Sequence, residues 1–133
     1  MKYDTIDGGY ESDDQYVEFF TIKDLIDVCK QHPNNVVHFL GTDRSPGELG
    51  SWRGSYDLPA ISTTWDEKTG SVIAEELTAA LKETHWGWKG GEYCYHEDQE
   101  FYIAESGSSA EYKVVKAELE NDVLVLYTKL DPY

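Results

Sequence analysis

Two short segments of this chain bring together the residue types that hold a planar anion. In Gly50-Ser51-Trp52-Arg53-Gly54-Ser55-Tyr56 a single cation stands among aromatic and small residues. Its guanidinium can stack on a ring or offer its donor fork to a carboxylate or phosphate. In Trp86-Gly87-Trp88-Lys89-Gly90-Gly91-Glu92-Tyr93 the adjacent glycines permit positive φ and expose backbone N–H groups, while Lys89 and the indoles add charge and stacking surface. Trp52, Arg53, Gly54, Tyr56, Trp88, Lys89, Gly90, Gly91 and Tyr93 therefore contain the ingredients of a pocket for a nucleotide-like ligand. The competing reading is structural: Trp52, Tyr56, Trp88 and Tyr93 as core, Arg53 paired internally, Gly90-Gly91 as a turn. Against it, Trp-Arg-Gly-Ser-Tyr makes a poor core strand on local propensity, and such departures mark functional positions.

No catalytic set accompanies these segments. Of the four histidines, His32, His38, His85 and His96, none stands in the spacing of a metal or nucleophile motif. Cys94 and His96 are two apart and would share one face of a strand, but a third and fourth ligand have no clear source beyond His85. Carboxylate pairs such as Glu75 and Glu76 are too common here to single out an acid and a base, and no Gly-x-Ser-x-Gly elbow occurs. The expectation is a binding protein with no metal, no cofactor and no enzymatic activity.

The charge balance narrows the partners. With 26 acidic against 11 basic residues, the formal net charge of −15 repels phosphate backbones and favours basic partners. Direct binding to DNA or RNA is not expected. Asp13, Asp14 and Glu18 near the N-terminus, with Glu97 and Asp98 in a turn, are the carboxylates that could replace phosphates on a basic protein surface. The same acidity also serves plain solubility. Two separated thiols, no secretory pattern and no long apolar run suggest a cytoplasmic chain outside the membrane.

The elements that must position these residues follow from periodicity. A length of 133 residues with 40% apolar and 14% aromatic content suits one folded domain, 1–133. Residues 1–18, acidic and tyrosine-containing, read as an N-terminal arm or edge strand. Thr21 with Asp24 resembles a capping box ahead of Ile22, Leu25, Ile26 and Cys29, which predicts a helix over 22–31. A short buried strand over 36–40 follows, then a loop containing Gly41, Pro46, Gly47 and Gly50, then a strand opening at Ser51-Trp52-Arg53. Ser71 is the expected cap of a second helix reaching about Glu83, marked by Ile73, Leu77, Ala80 and Leu81. Strand-like runs at 92–95, 101–104, 112–119 and 123–128 complete a meander with turns at Glu97-Asp98, 105–109 and Asn121-Asp122. The predicted fold is α+β: a single, mainly antiparallel sheet of about five or six strands with both helices on one face.

The two aromatic segments also resemble motifs of an uncharacterised family of small proteins from tailed bacteriophages. That pattern is a short apolar strand, a Gly- and Pro-containing loop, Ser-aromatic-Arg-Gly-x-Tyr, an amphipathic helix, and Gly-aromatic-Lys-Gly-Gly-acidic-Tyr. Here Ser51 to Tyr56 and Gly87 to Tyr93 carry it, over roughly the last hundred residues. The resemblance implies a phage origin and action in the bacterial host cytoplasm, with an anti-defence role as the expected function. Two forms of that role are open. One is a sponge that sequesters a host nucleotide second messenger, in a pocket within one chain or shared in a homo-oligomer. The other is an acidic inhibitor of the anti-CRISPR or anti-restriction type that blocks a basic nucleic-acid-binding surface on a host defence protein.

Overall fold

The computed structural model describes residues 20–52, 55–82, 85–86, 92–93, 95–104 and 112–130; for 51–52, 55–58, 85–86, 92–93 and 130 it describes the backbone alone. The capping box forms as the sequence predicts. Thr21 Oγ1 accepts from Asp24 N at 3.2 Å and Asp24 Oδ2 accepts from Thr21 N at 2.9 Å, which satisfies two orphan donors at the start of α1, Ile22–Gln31. The apolar stripe Ile22, Leu25, Ile26 and Cys29 is buried. The second helix, α2, spans Gly70–Leu81 and buries Gly70, Ile73, Ala74 and Leu77. Its cap position is Thr69 rather than the expected Ser71, and no side chain caps it.

Among the described residues eight strands accompany the helices: β1 (Val36–Phe39), β2 (Ser45–Trp52), β3 (Ser55–Thr64), β4 (His85–Trp86), β5 (Glu92–Tyr93), β6 (Tyr102–Ala104), β7 (Tyr112–Glu120) and β8 (Val123–Leu130). Six make one sheet in the order β1-β8-β7-β6-β3-β2, and β4 pairs with β5 in a separate ribbon. The α+β class is as predicted, but the sheet is mixed. Its β1–β8 and β3–β6 pairs run parallel, because in each case a helix or a long excursion separates the two strands along the chain. The β7–β8 hairpin turns through Asn121 and Asp122 with φ of 50° and 67°, the left-handed geometry that Asn and Asp tolerate best after glycine.

The expected loop over Gly41 to Gly50 is largely strand. Only Leu40 to Arg44 turn, while Ser45 onward pairs with β3 along the sheet edge. Pro46 and Gly47 are accommodated because a bulge falls between Pro46 and Leu49 and an edge strand needs fewer donors. The two sheet edges also curl towards each other. Phe39 N donates to Arg44 O at 3.0 Å, and the buried Ser45 hydroxyl donates to Val37 O at 2.6 Å while accepting from Lys68 N at 3.2 Å.

One face of this curled sheet packs on the helices. Val37, Phe39, Leu49, Ile61, Ile103, Tyr112, Val114, Leu124 and Leu126 join the α1 and α2 stripes in one buried cluster, with Tyr95 and Phe101 beside them. The helices approach closely at Gly70, where a Cβ would run into the carbonyl oxygens of Cys29 and His32.

Candidate functional site

The strand register fixes where both aromatic segments sit in the fold. Trp52 pairs with Ser55 at the end of β2 and β3. The segment expected to open one strand therefore straddles two. The pairing also jumps: Ser51 faces Pro59 whereas Trp52 faces Ser55, which leaves Tyr56, Asp57 and Leu58 as extra chain on the β3 side. In the second segment His85 pairs with Tyr93 and Trp86 with Glu92 in an antiparallel ribbon. The described flanks of both motifs are thus paired strand ends.

Arg53, Gly54, Trp88, Lys89, Gly90 and Gly91 lie outside the described residues, as do the arm carboxylates Asp13, Asp14 and Glu18 and the thiol of Cys94. Trp52, Tyr56 and Tyr93 are placed by their backbone only. Glu97 and Asp98 are exposed on the turn between Tyr95 and Glu100, and Glu97 O accepts from Lys23 N at 2.8 Å. His96 is exposed too, with its backbone N–H donating to Gln99 Oε1 at 2.8 Å.

Two concavities of the described body differ in the charge of their walls. One, of about 380 Å³, lies between β2 and α2 under Leu49 and Leu77 and is flanked by Glu48 and Glu76. Glu76 is engaged by Lys68 at 2.8 Å. The other, of about 590 Å³, follows the groove between the end of α1 and α2, with Lys30 and Lys82 at its margins and Glu75 between. The carboxylates of the first disfavour phosphate, whereas in the second two lysines stand against one glutamate. Among the described residues no three His, Cys, Asp or Glu side chains converge on a point that could hold a metal.

One constellation escaped the sequence reading. Trp65 is 72% exposed, the most exposed large apolar residue described, and the buried Arg44 sets its guanidinium 5.2 Å from the ring centroid. His38, on β1, sets Nε2 4.0 Å from Glu67 Oε1. The signal for Trp65 was its place in a polar turn, Thr64 to Asp66, where an indole has no core to enter. Cys29 is the opposite case: fully buried in the helix interface, its thiol is pushed up to about 12 by desolvation, which removes nucleophilic character.

Comparison of the chain with protein-family models, with curated proteins and with solved structures returns no match.

Proposed function

We propose that the chain is a non-enzymatic, phage-encoded anti-defence protein that binds and sequesters a host nucleotide second messenger through its two cation-bearing aromatic segments. What supports this reading is residue type together with the pairing of the described flanks, Trp52↔Ser55 and His85↔Tyr93. In this reading the glycines beside Arg53 and Lys89 offer backbone N–H groups to phosphate oxygens, and the flanking rings supply faces for a base. In this reading Arg53 and Lys89 hold phosphate while Trp52, Tyr56, Trp88 and Tyr93 frame the base.

The test is equilibrium dialysis against cyclic and linear signalling nucleotides with wild type and Arg53→Ala. Loss of a charged hydrogen bond predicts about a 10- to 100-fold weaker Kd with the fold intact. Equal affinity in the two proteins removes Arg53 from the site and sinks the reading.

A second reading draws on a separate observation. Glu97, Asp98, Glu118, Glu120 and Asp122 are all exposed on turns or strand ends, so the described surface presents carboxylates in the manner of a phosphate mimic. An inhibitor of this type would form a complex with a basic host defence protein that weakens steeply with added salt.

A further inference from the structure

Trp65 is 72% exposed, although tryptophan is on average among the more buried side chains. The turn that carries it is held in place. Asp66 N donates to Thr64 Oγ1 at 3.2 Å, and Lys68 O accepts from Val37 N at 2.9 Å. The neighbouring turn, 40–44, is pinned as firmly. Thr42 Oγ1 donates to Phe39 O and accepts from Arg44 N, both at 3.1 Å, while Arg44 O accepts from Phe39 N at 3.0 Å. An indole presented on braced turns gives up little freedom when a partner covers it.

Strand register brings carboxylates to the same place. Ser45 pairs with Thr64 at the end of the β2–β3 ladder. The next residues out are Arg44 and Trp65, with guanidinium and ring centroid 5.2 Å apart, and beyond them come Asp43 and Asp66. Glu67 follows, its Oε1 4.0 Å from His38 Nε2. Asp43, Asp66 and Glu67 are all exposed. The lysine of this turn, Lys68, is drawn instead to Glu76 of α2 at 2.8 Å. Arg44 is buried and so lies on the inner side of the ring, which leaves the outer side to solvent.

An indole face attracts cations, and carboxylates beside it favour a cation that can also form forked hydrogen bonds. Arginine meets both demands, since its planar guanidinium stacks and its donor fork fits a carboxylate. An anionic or purely apolar ligand would instead desolvate the carboxylates without pairing them. The positive charge of Arg44 behind the ring is outnumbered by the three carboxylates around it. At longer range the formal net charge of −15 draws basic proteins and repels nucleic acid. Tryptophan and arginine are also the residue types that contribute most to protein contacts.

We propose that Trp65, with Asp43, Asp66 and Glu67 beside it, is the docking point for an arginine-bearing segment of a basic protein partner. One guanidinium of that segment stacks on the outer indole face and pairs with the carboxylates. This goes beyond nucleotide sequestration, which uses neither turn. The inhibitor reading rests on other carboxylates, so the Trp65 contact stands or falls apart from it.

The probe is a dye-labelled octapeptide of alternating arginine and glycine, titrated into the full chain at low ionic strength, with an alternating glutamate and glycine peptide as control. Fluorine NMR of the fluorotryptophan-labelled chain reads the site, and Trp65→Phe identifies the Trp65 signal among the four tryptophans. The expected result is a Trp65 signal shifted by the arginine peptide and unmoved by the control. By fluorescence anisotropy, Trp65→Ala should weaken binding by about tenfold or more. Asp66→Asn/Glu67→Gln should weaken it by about threefold or more, whereas Asp27→Asn/Glu75→Gln, the same charge change on the helices, should stay within about twofold. A Trp65 signal that stays still at millimolar arginine peptide, or equal losses from the two charge-matched variants, overturns the proposal. The fluorine measurement on the wild-type chain keeps the test decisive even if Trp65→Ala fails to fold.

Discussion

Replacing Gly70 by alanine sets two effects of known sign against each other. Alanine favours a helix over glycine by up to about 1 kcal/mol, and less at a first helical position such as this one. The new methyl, however, would run into the backbone carbonyl oxygens of Cys29 and His32, which are held by α1 and by the His32 N–H bond to Cys29 O. Backbone cannot swing aside as a side chain can, so the helices must separate and loosen the contact around Ile26, Cys29, Ile73 and Ala74. Overpacking of this kind costs about 1–3 kcal/mol, which outweighs the propensity gain and leaves a net loss of about 1–2 kcal/mol. At this chain length that lowers Tm by roughly 3–8 °C. Urea unfolding followed by circular dichroism checks it, as a lower midpoint with an unchanged slope. Two other glycines calibrate the scale. A Cβ on Gly50 meets nothing within 4 Å, so Gly50→Ala should stay within about 0.5 kcal/mol of wild type. At Gly47 the obstruction is chiefly the Ser62 hydroxyl, which can rotate but would give up its 2.8 Å bond from Glu48 N, so Gly47→Ala should fall between. A Gly70→Ala protein as stable as wild type, or more so, refutes the reasoning.

Three further outcomes follow from the same geometry. Ser45→Ala removes the hydroxyl that ties Val37 O to Lys68 N, leaving one buried and one part-buried backbone group without that bond, and should cost about 1–3 kcal/mol in denaturant unfolding. Thr21→Ala removes half of the capping box and should cost about 1 kcal/mol, with amide exchange rising first in the opening turn of α1. Cys29, with its thiol raised to about 12, should resist iodoacetamide at pH 8 in the folded protein and react once unfolded. Because the folded thiol stays neutral while the unfolded one ionises near its ordinary value of 9.0, this residue lowers stability only as pH rises from about 9 towards 12. Native labelling at the unfolded rate would contradict the burial.

What the sequence made legible was local. Thr21 and Asp24 announce α1 because both halves of a capping box lie within four residues, and Asn121-Asp122 announces the β7–β8 turn because few residues accept its φ. What it concealed was long-range. Pro46, Gly47 and Gly50 read as a loop, yet their segment is held as an edge strand by β3 and by Ser45 reaching across to β1. Neither parallel pairing has a local signature, since Val36↔Val123 and Ala60↔Tyr102 join residues far apart in the chain. For the candidate site, Arg53 and Lys89 stand out by residue type, whereas the pairing of their described flanks, Trp52 with Ser55 and Trp86 with Glu92, came only from the strand register.

Native mass spectrometry of the purified chain, before and after exposure to a panel of cyclic and linear signalling nucleotides, tests the sequestration claim most directly. The account predicts a retained or added nucleotide mass, with the same nucleotide recovered chemically unchanged on denaturation. An apo spectrum across the whole panel, or recovery of a cleaved ligand, would contradict it.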